Sequence, residues 1–245
     1  FVIGGTPLSE KWEIAGVLDQ GIPDPEIRVI DPLTGLVAAQ LQVQHTEEIA
    51  IQTKAGDDIV NVNWVAARMS DLTLLRVDLA EDEDVLNVML FPPPDDGLPV
   101  EQEVQIARLQ LISGSGSDQV NFNHFGGSWF DLSFTADTGK GDDGVSALLG
   151  PPPDDSLPGP EGIRRLHFDV DTGKGDDFTS LKNQTNSEFF DVFFDADFKG
   201  GDDLFEGSGQ IQRAELLPGP GFDTARVTRN IISFVSAFEE IEIND

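Results

Sequence analysis

Short runs in which every second residue is apolar recur along this chain, in pairs joined by an acidic, glycine-containing turn. One aspartate per turn serves as a reference: Asp58, Asp84, Asp118, Asp143, Asp177, Asp203 and Asp223. Nine residues before it stand Ile49, Leu75, Leu109, Phe134, Phe168, Phe194 and Ala214. Seven before it stand Ile51, Val77, Leu111, Ala136, Val170, Ala196 and Leu216. Two after it come Val60, Leu86, Val120, Val145, Thr179, Phe205 and Ala225, and four after it Val62, Val88, Phe122, Ala147, Leu181, Gly207 and Val227. The position between these last two columns is polar throughout, from Asn61, Asn87 and Asn121 to Arg226. A period of two marks a strand with one buried face. Two residues before the reference, six of the seven copies carry glycine, which takes positive φ in a tight turn without a steric penalty. The pattern predicts seven strand–turn–strand units with no helix in them.

The reference aspartates are 26, 34, 25, 34, 26 and 20 residues apart. The two long intervals hold near-duplicate insertions, PPPDDGLP (92–99) and PPPDDSLP (151–158). Proline triplets favour extended, solvated structure and cannot sit inside a sheet, so both read as loops projecting from one side. A larger repeat of roughly 60 residues follows, with 71–128, 129–187 and 188–230 as successive copies, the last shortened. Residues 1–45 stand outside this register: GIPDPEIRVIDPLTG is Pro-rich and irregular, and SEKWEIAGVL fits a short helix or an edge strand. The chain thus divides into an N-terminal capping segment (1–45), solenoid repeats (46–230) and a C-terminal capping strand (231–245), since an open sheet edge needs an atypical end.

Aligned inward columns suit an all-β, right-handed parallel β-helix or solenoid of about seven coils, each ~4.8 Å from the last. One reference aspartate per coil is the preferred register; a longer coil holding two turns is the alternative. A β-propeller would need at least four similar blades, more than the larger repeat supplies. Like residues then stack, Phe134 on Phe168 on Phe194, and Asn61, Asn87 and Asn121 form an outward amide ladder. Stacking also lines up Asp57/Asp58, Asp142/Asp143, Asp176/Asp177 and Asp202/Asp203. Neighbouring charges at ~5 Å repel by roughly 1 kcal/mol in water and about 3 kcal/mol at an effective dielectric of about 20. Protonation, open solvation or a bound cation must offset this.

Charge narrows the partners. Asp and Glu number 45 against 15 Lys and Arg, a formal charge of −30 over 245 residues. Such a chain repels nucleic acid and anionic membranes, leaving cations, basic proteins and neutral glycans. A hydrophobic content of 39% is too high for a disordered acidic tail. Without cysteine there is neither a disulfide nor a thiolate metal site, which fits a bacterial exported protein better than a small eukaryotic secreted domain. No apolar run approaches the ~18 residues of a membrane span. The chain opens on Phe1, as a processed product would.

The turns read G-x-G-x-D-x-apolar at Gly114, Gly116, Asp118, Val120; at Gly139, Gly141, Asp143, Val145; and at Gly219, Gly221, Asp223, Ala225. The Gly173, Gly175, Asp177 copy ends in Thr179. This resembles the calcium-binding G-G-x-G-x-D-x-U-x nonapeptide of RTX (haemolysin-type) β-rolls, and the looser GDGDD repeats of bacterial surface β-solenoids. The resemblance implies Ca²⁺ held by Asp58, Asp84, Asp118, Asp143, Asp177 and Asp203, beside Asp142, Asp176 and Asp202, with turn carbonyls completing the shell. Two features depart from RTX repeats: the turns do not recur every nine residues, and Lys54, Ala80 and Lys199 replace the first glycine. Separately, DADFKGGDDLFE (195–206) matches an EF-hand loop at Asp195, Asp197, Gly200 and Glu206. Lys199 cannot ligate, and the preceding EFFDVFF alternates like a strand. Asp195, Asp197 and Asp203 stay as candidates to share an ion. Asp78, Asp137, Asp171 and Asp197 form an outward column that reads as a solvated face or a surface for cations and basic partners.

No catalytic motif stands out. His45, His124 and His167 lie in unrelated contexts, and neither a nucleophile elbow nor a zinc or phosphate-loop motif is present. Arg164, Arg165 and Arg213 near Asp169, Asp171 and Asp195 could build the sugar-cleaving face of a carbohydrate-active β-helix, which is the rival reading. Phe190 and Phe193 are the phenylalanines expected to face outward, and NQT (183–185) is a glycosylation acceptor by pattern. The expectation is therefore a non-enzymatic, secreted or cell-surface structural or adhesive solenoid of bacterial type, helped by calcium. Its partners would be glycans or surface proteins, with no nucleic acid and no membrane span. Self-assembly through the solenoid ends into a filament or surface layer is the third reading.

Overall fold

Every second side chain of each predicted arm is buried in the computed structural model, and the arms assemble into two sheets that share one core. The structure describes residues 2–19, 22–31, 33–42, 47–65, 72–91, 106–124, 131–150, 164–184, 190–228, 234–235, 238 and 240–244. In chain order the strands are β1 (Val2–Gly4), β2 (Lys11–Asp19), β3 (Ile22–Ile30), β4 (Val37–Gln42), β5 (Glu48–Gln52), β6 (Ile59–Val65), β7 (Leu74–Asp78), β8 (Val85–Phe91), β9 (Ile106–Ile112) and β10 (Gln119–His124). They continue as β11 (Asp131–Asp137), β12 (Gly144–Leu149), β13 (Arg164–Gly173), β14 (Phe178–Asn183), β15 (Phe190–Phe198), β16 (Leu204–Ser208), β17 (Arg213–Leu217), β18 (Thr224–Thr228), β19 (Phe234–Val235) and β20 (Glu240–Asn244). Among the described residues no helix is long and apolar enough to cross a membrane.

Sheet A runs β1-β5-β7-β9-β11-β13-β15-β17-β19 and sheet B runs β20-β18-β16-β14-β12-β10-β8-β6-β2-β3-β4. From β5 onward each acidic turn carries the chain from sheet A to sheet B, and each strand pairs in parallel with its counterpart in the next unit. Register follows the sequence columns: Phe134 pairs with Phe168 and Phe168 with Phe194 in sheet A, while Val120 pairs with Val145 in sheet B. A slip of one residue would turn every apolar column to solvent, so the pattern specifies the pairing. Across the core, the Phe122 ring of sheet B meets Phe134 and Phe168 of sheet A at centroid distances of 5.2 and 5.1 Å. Burying one such ring contributes about 1.5–3 kcal/mol.

Strands β1 and β2 correct the sequence reading of the register. They are neither irregular nor out of register: β1 sets Ile3 against Ile51, and β2 sets Trp12 against Val60 and Ile14 against Val62. Lys11 pairs with Ile59, so Glu10 stands where the next unit has Asp58. The apolar columns were present, but the reference position holds glutamate and the glycine position holds Leu8. The antiparallel strands β3 and β4 extend sheet B past β2 and occupy the 48-residue interval from Glu10 to Asp58. At the other end β19 and β20 add one strand to each sheet. The Pro-rich insertions at 92–99 and 151–158, and His45, lie outside the described residues.

Tight stacking explains the turn glycines. Gly141 has φ of 132°, and a Cβ there would fall 1.7 Å from the Gly116 carbonyl oxygen of the preceding unit. Four residues before the reference, Lys54 and Ala80 adopt the left-handed region at φ 86° and 72° where the next three units use Gly114, Gly139 and Gly173.

Candidate functional site: two carboxylate files on the turn edge

Both aspartates of the GDD turns brace the backbone, and they do so in opposite directions. Along an inner file, the main-chain N–H of each reference residue donates to Oδ1 of its counterpart in the following unit. Glu10 donates to Asp58 and Asp58 to Asp84, each at 2.7 Å. Asp84 donates to Asp118, Asp118 to Asp143, Asp143 to Asp177 and Asp177 to Asp203, each at 2.8 Å. Asp203 closes the file on Asp223 at 3.0 Å. Along an outer file the carboxylate reaches forward instead: Oδ1 of Asp142 accepts from Asp176 N–H at 3.0 Å, that of Asp176 from Asp202 and that of Asp202 from Phe222, each at 2.9 Å. The predicted stacking of turn carboxylates is thus present, with Asp143 and Asp177 in direct contact.

The two files differ in solvent. Asp142, Asp176 and Asp202 are exposed, whereas the seven reference aspartates are at most 2% accessible. The second oxygen, Oδ2, of Asp58, Asp84, Asp118, Asp143, Asp177 and Asp203 is buried without a hydrogen-bond partner. Desolvation by burial therefore pushes Asp58, Asp143 and Asp177 up to about 6, Asp203 to about 7 and Asp84 to about 8. Asp118 is raised for the same reason. The donated N–H groups pull the other way but do not win, and neighbouring carboxylates add to the rise. A buried hydroxyl column, Thr53, Ser113, Thr138 and Thr172, lies five residues before the references. Its hydroxyls oppose the rise at the aspartates, but only weakly, since Thr53 donates its proton to the Leu79 carbonyl at 2.9 Å and Thr138 to that of Thr172 at 3.0 Å.

The fit to calcium is poor. Ca²⁺ takes about six to eight oxygen ligands, yet each inner carboxylate already spends one oxygen on the neighbouring backbone. Among the described residues no group of three or more acidic or histidine side chains converges to hold a metal. The EF-hand-like residues also separate: Asp195 and Asp197 lie on β15 and Glu206 on β16, while Asp203 belongs to the inner file.

The outer faces of the two sheets contrast. On sheet A, Asp137, Asp171 and Asp197 stack in register beside Asp169, Asp195 and Glu215. His167 Nε2 lies 3.2 Å from Asp195 Oδ2 and its ring stacks on Phe193. Lys199 pairs with Asp171 and Arg213 with Glu215. On sheet B, β6 through β14 present Ile59, Asn61, Asn63, Val85, Asn87, Met89, Gln119, Asn121, Asn123, Gly144, Ser146, Leu148, Phe178, Ser180 and Lys182. Asn87 Nδ2 donates to Asn61 Oδ1 and Asn121 Nδ2 to Asn87 Oδ1, each at 3.0 Å. His124 is a core residue, in register between Leu90 and Leu149. Asn183 of the glycosylation pattern is 6% accessible and donates to the Gln210 carbonyl.

No family model matches the chain, and neither a curated protein nor a solved structure matches it.

Proposed function

We propose that this chain is an extracellular or cell-surface structural or adhesive module of bacterial type: a right-handed parallel β-solenoid of about seven coils that holds binding faces on a stiff rod. The observation that carries this reading is the inner carboxylate file, which joins every unit from Glu10 to Asp223 through one repeated hydrogen bond. The acidic turns serve the scaffold first. Calcium, which the likeness to RTX and GDGDD repeats implies, has the exposed file left to it. There Asp142, Asp176 and Asp202 stack, and a cation would act by relieving their repulsion, with no caged site.

Thermal melting with 5 mM Ca²⁺ against excess EDTA tests the metal clause: a rise of several degrees with Ca²⁺ supports it, and identical melts remove it. Display of residues 1–245 on a heterologous bacterial surface, scored for gain of attachment to glycan-coated and protein-coated supports, tests adhesion. Unchanged attachment on every support would leave a purely structural rod.

End-to-end self-assembly is favoured by one observation. Ile241 and Ile243 pair with the inward residues Ala225 and Val227, yet are 45% and 61% exposed. Sedimentation and negative-stain imaging across a concentration series decide it, fibres supporting assembly and a constant monomer excluding it.

A further inference from the structure

Among the described residues, the outward face of sheet B is nearly free of charge in a chain that carries −30. Over five strands in unbroken register, its outward positions hold no carboxylate, and their one charge is Lys182 at the margin. Charge returns at both ends: Lys11 pairs with Glu13 on β2, and Arg226 bridges Glu206 and Glu242 on β16 and β20. Chance placement of 45 acidic residues does not favour such a gap, and sheet A, built from the same repeat, has none.

We propose that this face binds an extended neutral polysaccharide lying along the rod axis. This inference rests on the adhesive reading and gives it a ligand class. Three observations select the occupant. A neutral polymer escapes the repulsion that −30 imposes on any anion, and the exposed carboxylates nearest this face, Asp142 and Asp176, line its turn margin alone, leaving a basic protein little to pair with across it. The surface repeats every ~4.8 Å. On four of its five rungs an amide or hydroxyl sits two residues from an aliphatic or aromatic side chain, as Asn61 does from Ile59, Asn87 from Met89 and Ser180 from Phe178, while β10 presents amides alone; this matches the hydroxyl edges and apolar ring faces of successive sugars. Many equal weak contacts then add along one chain. Lastly, five strands by about five residues give a few hundred Å², well short of the ~800 Å² per partner of a stable protein–protein interface. That argues against a second copy of this chain.

Affinity electrophoresis in native gels cast with hydroxyethyl cellulose, galactomannan or carboxymethyl cellulose tests the proposal. The wild-type chain should be slowed in at least one neutral gel and unaffected by the carboxymethyl polymer. Asn87→Asp with Asn121→Asp, which puts two charges mid-face, should weaken retardation at least tenfold. Phe178→Ala, at a separate rung, should weaken it several-fold. Thr135→Asp, which adds charge to sheet A, should bind as wild type. Circular dichroism and melting temperature within a few degrees of wild type confirm folding for each variant. The proposal falls if neither neutral gel slows the wild type, if the anionic gel slows it as much, or if the face variants bind unchanged. In this last case adhesion stands and only the assigned face is wrong. It also falls if sedimentation shows a dimer that the Asn87→Asp, Asn121→Asp pair dissolves, since the occupant is then a second copy.

Discussion

Adjacent aspartates in each GDD turn are the same residue type and both accept a backbone N–H, yet they are different groups. The inner one is buried, with one oxygen satisfied and the other without a partner; the outer one meets water. The lesson is that a carboxylate-to-backbone hydrogen bond forms along the stack whatever the solvent, while burial is the largest influence on whether the charge survives at neutral pH. Repulsion along the outer file is met by solvation. Along the inner file it is met only in part by holding protons: at neutral pH Asp84, at about 8, keeps its proton and Asp203, at about 7, shares its time, while Asp58, Asp143 and Asp177, at about 6, are mostly ionised.

The largest test of that contrast is pH. An unfolded aspartate titrates near 3.9, and the inner file titrates higher, at about 6 for Asp58, Asp143 and Asp177, about 7 for Asp203 and about 8 for Asp84. For groups raised on folding, the stabilising contribution is complete below the unfolded value and is lost as pH climbs through the folded values. The melting temperature should fall by about 10 °C or more between pH 5 and pH 9, a few degrees per kcal/mol for a chain of this size. A flat profile would mean the inner carboxylates are ionised and compensated. Next in size, Gly175→Ala attacks both files at once. It forces a side chain onto φ of 142° with its Cβ 1.8 Å from the Gly141 carbonyl oxygen, and should cost about 4 kcal/mol in denaturant titration.

Substitutions within one turn separate the files. Asp143→Ala strands the buried Asp118 N–H and should cost about 1–3 kcal/mol at pH 5. Asp143→Asn keeps the acceptor and abolishes ionisation, so it should raise the melting temperature at pH 9, lower it slightly at pH 5 and shallow the pH slope. Smallest of all, Asp176→Ala leaves the Asp202 N–H to water and should stay within about 0.5 kcal/mol at either pH. Equal losses for Asp143→Ala and Asp176→Ala would erase the distinction between files.

Period-two columns made the strands, their parallel stacking and their inward faces legible in the sequence, because burial of one face is the dominant constraint on a strand. The contact between Asp143 and Asp177 was legible for the same reason. Which way each carboxylate reaches was not, since Asp142 and Asp143 are the same residue type and only the turn's path puts one inside. The first unit was hidden by chemistry as well: Ile3, Trp12 and Ile14 keep the columns, but Glu10 and Leu8 replace the aspartate and glycine used to align them. The hydroxyl column of Thr53, Ser113, Thr138 and Thr172 carried a visible signal, the same residue class five positions before the reference in four copies. The charge gap on sheet B could be seen only once strands distant in sequence were laid side by side.

Because the two files point in opposite senses, the units of Asp176/Asp177 and Asp202/Asp203 are each gripped from both neighbours by side chains belonging to different partners. A tensile load there cannot unzip one row of bonds and leave the other resting. Both rows must yield at the same joint, so this stretch should fail abruptly at its weakest seam and hold its length until then.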